Sequence, residues 1–289
     1  MDLLEQLRKN GFFKVENLIA PAVIKNLLSS SMRTINQCTD EHRESVKSNG
    51  TMCNLAKLPE FVDIITYSPI QDLLKNIGGQ DVRWTGGYLI SKPAGGPPLF
   101  WHQDWWGWDD PVSYQLDAVQ LFVMIYLTET SPAKGCLRVI PGSHRKVHSL
   151  HKLGQAHSEN LIRVENPLDP AFASHADEIA VPAKPGDVII GDSRVIHGAY
   201  ANEKGGERPL LTLWYSPNFK DLPEPIMAQY ENALRTEADD ILDGTTATQL
   251  PYEWPDEVKQ KILPVLPQYT GTEQPQKWNR LPNLDKLIQ

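Results

Sequence analysis

The chain has 289 residues, of which 40% are hydrophobic and 22% charged, and its formal net charge is −8. These values are typical of a globular protein with one large domain or two small ones. No long basic run is present, which argues against binding to a nucleic-acid backbone, because phosphates are held by clustered Lys and Arg.

The N-terminal segment MDLLEQLRKNGFF is amphipathic and charged, so it lacks the continuous apolar stretch of a secretory signal. No stretch approaches the roughly 20 apolar residues that are needed to cross a bilayer. The three cysteines, Cys38, Cys53 and Cys136, are odd in number and widely spaced, which favours neither a disulfide framework nor a zinc knuckle. We therefore expect a soluble, cytoplasmic protein.

Helices are predicted for most of the N-terminal part, residues 1–80. Leu3, Leu4 and Leu7 recur on one face of a helix that Gly11 would end, and Pro21 stands where a first helical turn begins. The predicted elements are a helix over residues 2–9, a strand over 12–19, a helix over 21–37, an irregular segment over 39–57 and a helix near 69–77.

The pattern changes at about residue 82, where short apolar segments separated by Pro and Gly begin. Strands of this length with long connections favour an all-β core over residues 82–216, built as a double-sheet jelly roll. The predicted strands are VRWTGGYLIS (82–91), AVQLFVMIYLT (118–128), LRVIPG (137–142), EIAVPA (178–183), DVIIGD (187–192) and RPLLTLWYS (208–216).

Residues 217–289 are polar and rich in proline, with one helix predicted over 224–242. We expect this C-terminal extension to pack over the β core rather than to form a domain of its own. The chain is therefore predicted to be a single domain over residues 1–289.

Metal-binding residue types occur beside two of the strands. His102 and Asp104 are separated by one residue, so on a strand both side chains would point to the same side. His197 follows another strand, and Arg208 lies eleven residues later at the start of the next one. Each feature alone is a weak signal, because single histidines and His-x-Asp pairs are common.

Together these residues are typical of one metal chemistry. Two histidines and one carboxylate form the facial triad of non-haem Fe(II) oxygenases, which leaves one face of the metal open to a chelating cosubstrate and O₂. Fe(II), one carboxylate and a dianionic 2-oxoacid carry one net negative charge. A guanidinium neutralises it, and its planar fork fits a carboxylate through two hydrogen bonds. Arg208 is placed for that role.

The order of these motifs resembles the phytanoyl-CoA dioxygenase family of Fe(II)/2-oxoglutarate oxygenases. The resemblance implies a mainly β fold, a double-stranded β-helix of the cupin type, with His102, Asp104 and His197 as iron ligands. It also implies that Arg208 holds the C5 carboxylate of 2-oxoglutarate. The segments that carry it span roughly residues 8–216 and are NGFFKVENLI near the start, WHQD at 101–104, KGCLRVIPGSHR at 134–145 and KPGDVIIGDSRVIHGAYANEKGGERP at 184–209.

The family likeness points to two further contacts with the cosubstrate. Gln120 lies on the strand after the tryptophan-rich segment, where family members often place such a contact, and Tyr88 lies on the strand before WHQD. Ala199 stands two positions after His197, where a small hydroxyl residue is common in the family. A hydrogen bond to 2-oxoglutarate is therefore expected from elsewhere.

Three tryptophans, Trp105, Trp106 and Trp108, directly follow the His-x-Asp pair. Aromatic rings at the mouth of a barrel can stack on a substrate or exclude water, and ligand pockets are commonly lined by aromatic side chains. We expect at least one of the three to contact the substrate. His144, in the turn IPGSHR, is instead expected to make structural hydrogen bonds.

These observations predict an Fe(II)/2-oxoglutarate-dependent dioxygenase that hydroxylates or otherwise oxidises a small metabolite or natural product, with conversion of 2-oxoglutarate and O₂ to succinate and CO₂. The alternative is a non-oxidative metal-binding protein of the same fold, an isomerase or a ligand-binding module. Arg208 favours the oxygenase, because a simple metal site has no need of a cation at that spacing. We expect a monomer or homodimer with no nucleic-acid or membrane partner.

Overall fold

Ten strands form two antiparallel sheets, and eight α-helices surround them, in the computed structural model, which describes residues 1–236 and 242–288. The strands are β1 Phe12–Val15, β2 Met52–Asn54, β3 Arg83–Lys92, β4 Leu99–His102, β5 Leu121–Tyr126, β6 Leu137–Val139, β7 Ile179–Val181, β8 Val188–Asp192, β9 His197–Ala199 and β10 Arg208–Ser216. The helices are α1 Leu3–Asn10, α2 Pro21–Ile35, α3 Asp40–Ser45, α4 Val62–Ile65, α5 Ser68–Asn76, α6 Glu159–Arg163, α7 Glu224–Thr236 and α8 Asp256–Ile262.

The larger sheet has six strands in the order β1-β8-β5-β10-β3-β2, and the smaller sheet has four in the order β4-β9-β6-β7. Within the larger sheet β10 lies between β3 and β5, so that Thr212 is opposite both Tyr88 and Met124. In the smaller sheet β4 pairs with β9, which places His102 directly opposite His197. The predicted mainly β core of two antiparallel sheets is thus confirmed.

Alternation along the central strands separates two apolar faces. Leu121, Val123 and Ile125 of β5 belong to a core that also contains Leu211 and Leu213 of β10 and side chains from α2, α5 and α8. Phe122, Met124 and Tyr126 point the other way and pack with Leu137 and Val139 of the smaller sheet. One face of the larger sheet therefore packs against helices, and the opposite face packs against the second sheet.

The N-terminal helices lie within two residues of the predicted bounds: α1 is Leu3–Asn10 for a prediction of 2–9, and α2 is Pro21–Ile35 for 21–37. Asp2 caps α1 by accepting a hydrogen bond from the backbone N–H of Glu5, and Gly11 ends the helix with a φ of 85°. The predicted strand over 12–19 is shorter than expected, because Asn17 adopts a left-handed φ of 54° and turns the chain. The segment predicted to be irregular, 39–57, contains α3 and β2.

The C-terminal extension packs against both the helices and the sheets. Leu250, Trp254 and Ile262 are buried in the core shared with the N-terminal helices. Asp243 forms a buried ion pair with Lys57, with Oδ2 and Nζ 2.8 Å apart. The helix predicted over 224–242 is observed as α7, which ends at Thr236. Leu242 is not helical, and residues 237–241 of the predicted helix lie outside the described part of the chain. No described helix is long and apolar enough to span a membrane.

Candidate active site

His102 ends β4 and His197 begins β9, and the pairing of these strands brings the two rings to a centroid distance of 4.2 Å. His102 Nδ1 lies 3.0 Å from the carbonyl oxygen of Phe100, and His197 Nδ1 lies 3.1 Å from that of Val195. Because a carbonyl oxygen only accepts, each Nδ1 carries the hydrogen and donates it. Both Nε2 atoms therefore present lone pairs, which is how histidine binds a metal.

Asp104 completes the group, although by a different route from the one predicted. The strand ends at His102, so Asp104 reaches the site from the following loop rather than from a continued strand. Its carboxylate oxygens lie 3.4 Å from His102 Nε2 and 3.7 Å from His197 Nε2. The indole Nε1 of Trp214 donates a hydrogen bond of 2.9 Å to Oδ2 and fixes the carboxylate. One ligand atom from each of the three residues lies within 4.8 Å of the others.

The protonation states suit metal binding at neutral pH. Burial opposes ionisation of Asp104, but the nearby His197 and His102 and the Trp214 hydrogen bond outweigh it and hold the pKa of Asp104 well below its usual value. Burial lowers the pKa of His197 to about 4, with a smaller contribution from the neighbouring His102 ring. An ionised carboxylate and a neutral imidazole are the forms that bind a divalent transition metal.

Arg208, the first residue of β10, is a buried cation with unsatisfied donors. Arg208 is 4% exposed, and within residues 1–236 and 242–288 its Nε and Nη1 have no hydrogen-bond partner. The guanidinium carbon lies 5.3 Å from the ring centroid of Tyr126, and burial lowers the pKa of Arg208. A buried donor without a partner costs roughly 1–3 kcal/mol, and an anion that accepts from these nitrogens would remove that cost.

These residues line one cavity of about 550 Å³. Gln120 and Tyr88 line it too: Gln120 Nε2 donates to Thr85 Oγ1 at 3.1 Å, and the Tyr88 ring meets Trp214 edge-on at 5.9 Å. The structure thus brings the predicted ligands, Arg208 and both predicted cosubstrate contacts to a single space. The cosubstrate roles of Gln120 and Tyr88 stay predictions.

Of the three tryptophans, only Trp106 lines the cavity. Trp105 is fully buried and donates its indole N–H to Ser113 Oγ at 2.8 Å. Trp108 is 2% exposed and packs against Tyr114. The expected substrate contact is corrected for Trp105 and Trp108. The chain leaves the strand at His102, all three rings join an apolar cluster with α7, and only Trp106 also reaches the cavity.

The tryptophan loop is fixed by a buried arginine that the sequence did not single out. Arg194 donates hydrogen bonds to the carbonyl oxygens of Ser113, Gln115 and Asp117 at 2.8 to 3.0 Å. Asp192 pairs with Arg194, and although burial opposes its ionisation, the Arg194 charge lowers the pKa of Asp192. The loop after Asp104 is therefore held by charge-assisted bonds.

Four further residues of the cavity wall were missed from the sequence. Thr212 lies on β10 four residues after Arg208, so alternation gives it the same face. Its buried Oγ1 has no hydrogen-bond partner among the described residues. Trp214, two residues further, is found by the same parity. Tyr230 and Arg280 come from the C-terminal extension, where the sequence carried no signal of a site.

A second group of metal-binding residue types lies at the surface, formed by His148, His175 and Asp177. There the His148 Nδ1 accepts from the backbone N–H of Leu150, and the His175 Nδ1 accepts from that of Asp177, each at 3.2 Å. A ring whose Nδ1 accepts carries its hydrogen on Nε2 when neutral, the reverse of the buried pair. This group is thus not arranged to direct two Nε2 lone pairs at one point.

The donor set of the cavity fits iron(II). It offers two neutral imidazoles and one carboxylate on one side, and a cation with unsatisfied N–H groups, Arg208, in the same cavity for the distal end of a chelating acid. His144, by contrast, makes the structural contact expected of it, with Nε2 3.2 Å from the carbonyl oxygen of Arg8.

Comparison with known protein families decides the identification. The family model of phytanoyl-CoA dioxygenase matches residues 7–210, which include every predicted metal ligand and Arg208. The chain belongs to the phytanoyl-CoA dioxygenase family. The dioxygenase class predicted from the sequence is thereby confirmed, with the iron and 2-oxoglutarate that such enzymes use.

Relatives with names agree with this membership. The chain is 26% identical over 223 residues to a probable alpha-ketoglutarate-dependent hypophosphite dioxygenase of Stutzerimonas stutzeri, covering 71% of this chain and 74% of the relative. It is 28% identical over 182 residues to an ectoine dioxygenase of Sphingopyxis alaskensis, covering 59% and 58%. These names favour the oxygenase over the non-oxidative alternative.

A solved structure supports the fold. HygX from Streptomyces hygroscopicus, with nickel and 2-oxoglutarate bound, superposes on 74% of this chain and 86% of its own with a TM-score of 0.55 at 16% identity. The likeness at this identity concerns the fold alone.

Proposed function

We propose that this member of the family is an Fe(II)/2-oxoglutarate-dependent oxygenase that hydroxylates or otherwise oxidises a small organic metabolite in the cavity of about 550 Å³. The observation that carries the proposal is the convergence of His102, Asp104 and His197 in the same cavity as the unsatisfied Arg208. A metal site alone explains the first three residues but leaves the buried guanidinium without a purpose.

The proposed roles follow from the contacts of each side chain. His102 and His197 bind iron through Nε2, because their Nδ1 hydrogens are given to backbone carbonyls. Asp104 supplies the anionic ligand, and Trp214 orients it. Arg208 pairs with the C5 carboxylate of 2-oxoglutarate, and Thr212 Oγ1, on the same face of β10, is placed for a hydrogen bond to it.

When bound, iron(II) and 2-oxoglutarate supply the O₂ chemistry that forms succinate and CO₂ and oxidises the substrate. The protein positions the reactants and keeps bulk water out of the cavity. Tyr88, Gln120 and the Trp106 ring form walls that hold the reactants together and limit the entry of water. We propose a substrate contact for Trp106 alone among the three tryptophans of its loop.

The finer description of the fold belongs to the same proposal. Two antiparallel sheets with the site between β4, β9 and β10 support a jelly roll of the double-stranded β-helix type. The packing of Leu250, Trp254 and Ile262 into the shared core supports a single domain over residues 1–289. A monomer or homodimer and a cytoplasmic location stay predictions from the sequence.

The test is a succinate assay with purified protein. With Fe(II), 2-oxoglutarate and O₂ together we expect slow succinate formation, which stops when any one is omitted. Fractions of a metabolite extract that stimulate succinate release then identify the substrate through a product that gains an oxygen atom or loses two hydrogens. The proposal would be contradicted if no succinate forms, either without added extract or with any of its fractions.

A further inference from the structure

Two of the three cysteines meet in the fold, although they lie on different elements. Cys38 follows the C-terminal end of α2, and Cys53 is the middle residue of β2. Both are free thiols, and their sulfur atoms are 3.4 Å apart. A disulfide bond holds its sulfur atoms about 2.05 Å apart, so only a small shift of the chain separates this pair from a covalent link.

The two thiols differ in their access to reagents. Cys53 is fully buried in the core that contains the N-terminal helices, whereas Cys38 packs against that core and is partly exposed. The thiol contact with Cys53 lowers the pKa of Cys38, although burial opposes the shift, and the same contact and burial raise the pKa of Cys53. Because an oxidant in solution reacts with an accessible thiolate, Cys38 is the reactive member of the pair.

The buried member lies on a strand of the cavity wall. β2 is the last strand of the larger sheet, and its neighbours Met52 and Asn54 line the cavity. Alternation turns Cys53 to the opposite face, towards α2. Asn54 is paired with Tyr88 of β3, which also lines the cavity. A covalent bond at Cys53 would therefore tie part of the cavity wall to the end of a helix.

We propose that Cys38 and Cys53 form a peroxide-reactive modification site, at which a disulfide bond reversibly ties the end of α2 to β2. The Cys38 thiolate attacks one oxygen of hydrogen peroxide, the O–O bond breaks, and hydroxide leaves as Cys38 becomes a sulfenic acid. The Cys53 sulfur then attacks the Cys38 sulfur, and the departing hydroxyl takes the Cys53 proton and leaves as water. The two thiols lose two electrons, which reduce the peroxide to water.

The site is tested by peptide mapping of the metal-free protein in the presence of a chelator, so that iron does not decompose the peroxide. After treatment with hydrogen peroxide the remaining thiols are alkylated, and the protein is digested with trypsin without reductant. Trypsin cleaves between the two cysteines, which then lie in peptides 34–43 and 48–57. We expect these peptides to be linked, with a mass about 2 Da below their sum, because two hydrogens are lost.

Thiol counts and thermal unfolding give two further readouts on the wild-type protein. Free thiols should fall from three to one, and dithiothreitol should restore all three. The linked form should unfold at a Tm at least about 2 °C higher, because the closed loop restricts the unfolded chain.

Variants identify the part of each cysteine. Cys38→Ala should slow the loss of thiols at least about tenfold, because the accessible thiolate is gone. Cys53→Ala should leave Cys38 as a sulfenic acid that dimedone traps, since no second thiol is in reach. Cys136→Ala is the matched control and should form the link at the wild-type rate, because Cys136 is fully buried and burial raises the pKa of its thiol to about 12.

Three results would overturn the proposal. The first is Cys38 recovered only as a sulfinic acid or in a disulfide with a second copy of the chain. The second is a link that contains Cys136, and the third is a linked form whose Tm does not rise, since the native fold would then not accommodate the bond. The wild-type peptide map decides the first two even if a variant fails to fold. No iron or substrate is needed, so these results are independent of the proposed function.

Discussion

The cavity has two walls that are built in different ways. On the metal and cosubstrate side, strands present Tyr88, Arg208 and Thr212 at positions fixed by backbone ladders and side-chain alternation. On the other side, Trp106 comes from a loop, Tyr230 from α7, and Arg280 from the last part of the extension. The two histidines and the proposed cosubstrate contacts are thus positioned by strand pairing, whereas Asp104 and the residues of the opposite wall come from loops and a helix outside the sheets.

The largest effect is expected at the strand-borne ligands. His102→Ala or His197→Ala should abolish both iron binding and succinate formation, because the two remaining protein ligands are too few to hold iron(II). The protein should still fold, since neither histidine ring belongs to the apolar clusters that pack the two sheets. Iron content after desalting and succinate release measure the two losses.

The surface group of histidines provides the control for that experiment. His175→Ala alters a cluster whose Nδ1 atoms accept backbone hydrogens, so iron content and activity should stay at wild-type values. If His175→Ala removes iron and His102→Ala does not, the metal site has been assigned to the wrong cluster.

A smaller but still large effect is expected at the cosubstrate end of the strand wall. Arg208→Ala should raise the KM for 2-oxoglutarate strongly, because loss of a buried charge-assisted pair costs roughly 2–5 kcal/mol. Arg208→Lys should recover part of the affinity, since a point charge cannot reproduce the two-bond fork. Steady-state kinetics with varied 2-oxoglutarate give the value, and an unchanged KM in both variants would refute the role.

The tryptophan loop allows the two walls to be compared through neighbouring residues. Trp105→Ala should lower the free energy of unfolding by about 3–5 kcal/mol, because it empties a fully buried site. Trp106→Ala should cost less stability and instead change the ratio of product to succinate. Chemical denaturation and product analysis separate the effects, and the idea fails if Trp105→Ala alters that ratio while Trp106→Ala leaves it constant.

The smallest effect is expected at Thr212. Thr212→Val keeps the shape but removes a buried hydroxyl that has no partner, so 2-oxoglutarate affinity should fall about three- to tenfold while apo-protein stability stays equal or rises by about 1 kcal/mol. Titration with 2-oxoglutarate and thermal unfolding of the metal-free protein test both halves. A loss of stability without a loss of affinity would show that Thr212 serves only the fold.

Much of the strand wall was predictable from the sequence. The strand RPLLTLWYS is observed with the predicted bounds 208–216, because a short run of apolar and aromatic residues between turn residues leaves few alternatives. Side-chain alternation along β10 from Arg208 also indicates Thr212 and Trp214, which face the same cavity. Motif order alone groups His102, Asp104 and His197, and the structure brings one ligand atom of each within 4.8 Å of the others.

The wall formed by Trp106, Tyr230 and Arg280 was not predictable, because tertiary packing determines where these residues lie. The position of Trp106 depends on where β4 ends, and a continued strand was assumed at Asp104 where the chain instead enters a loop. Trp105 and Trp108 were counted with Trp106, since adjacency in sequence does not reveal which rings turn into a neighbouring cluster. Tyr230 and Arg280 lie more than a hundred residues after Trp106 in the sequence. No local sequence pattern indicates that they meet it in the fold.

The proposed pairing of Arg208 with 2-oxoglutarate would link the stability of the folded state to the supply of a metabolite. In the described part of the chain no carboxylate forms an ion pair with it, so the ligand-free fold bears the cost of a desolvated cation. Cosubstrate binding only to the folded chain adds about 2.7 kcal/mol when its concentration is a hundred times Kd. We expect 2-oxoglutarate to raise the Tm of wild-type protein and not that of Arg208→Ala. At a low cellular concentration of 2-oxoglutarate, a smaller fraction of the enzyme would then be folded and resistant to proteases. The abundance of the enzyme would therefore follow the concentration of its cosubstrate.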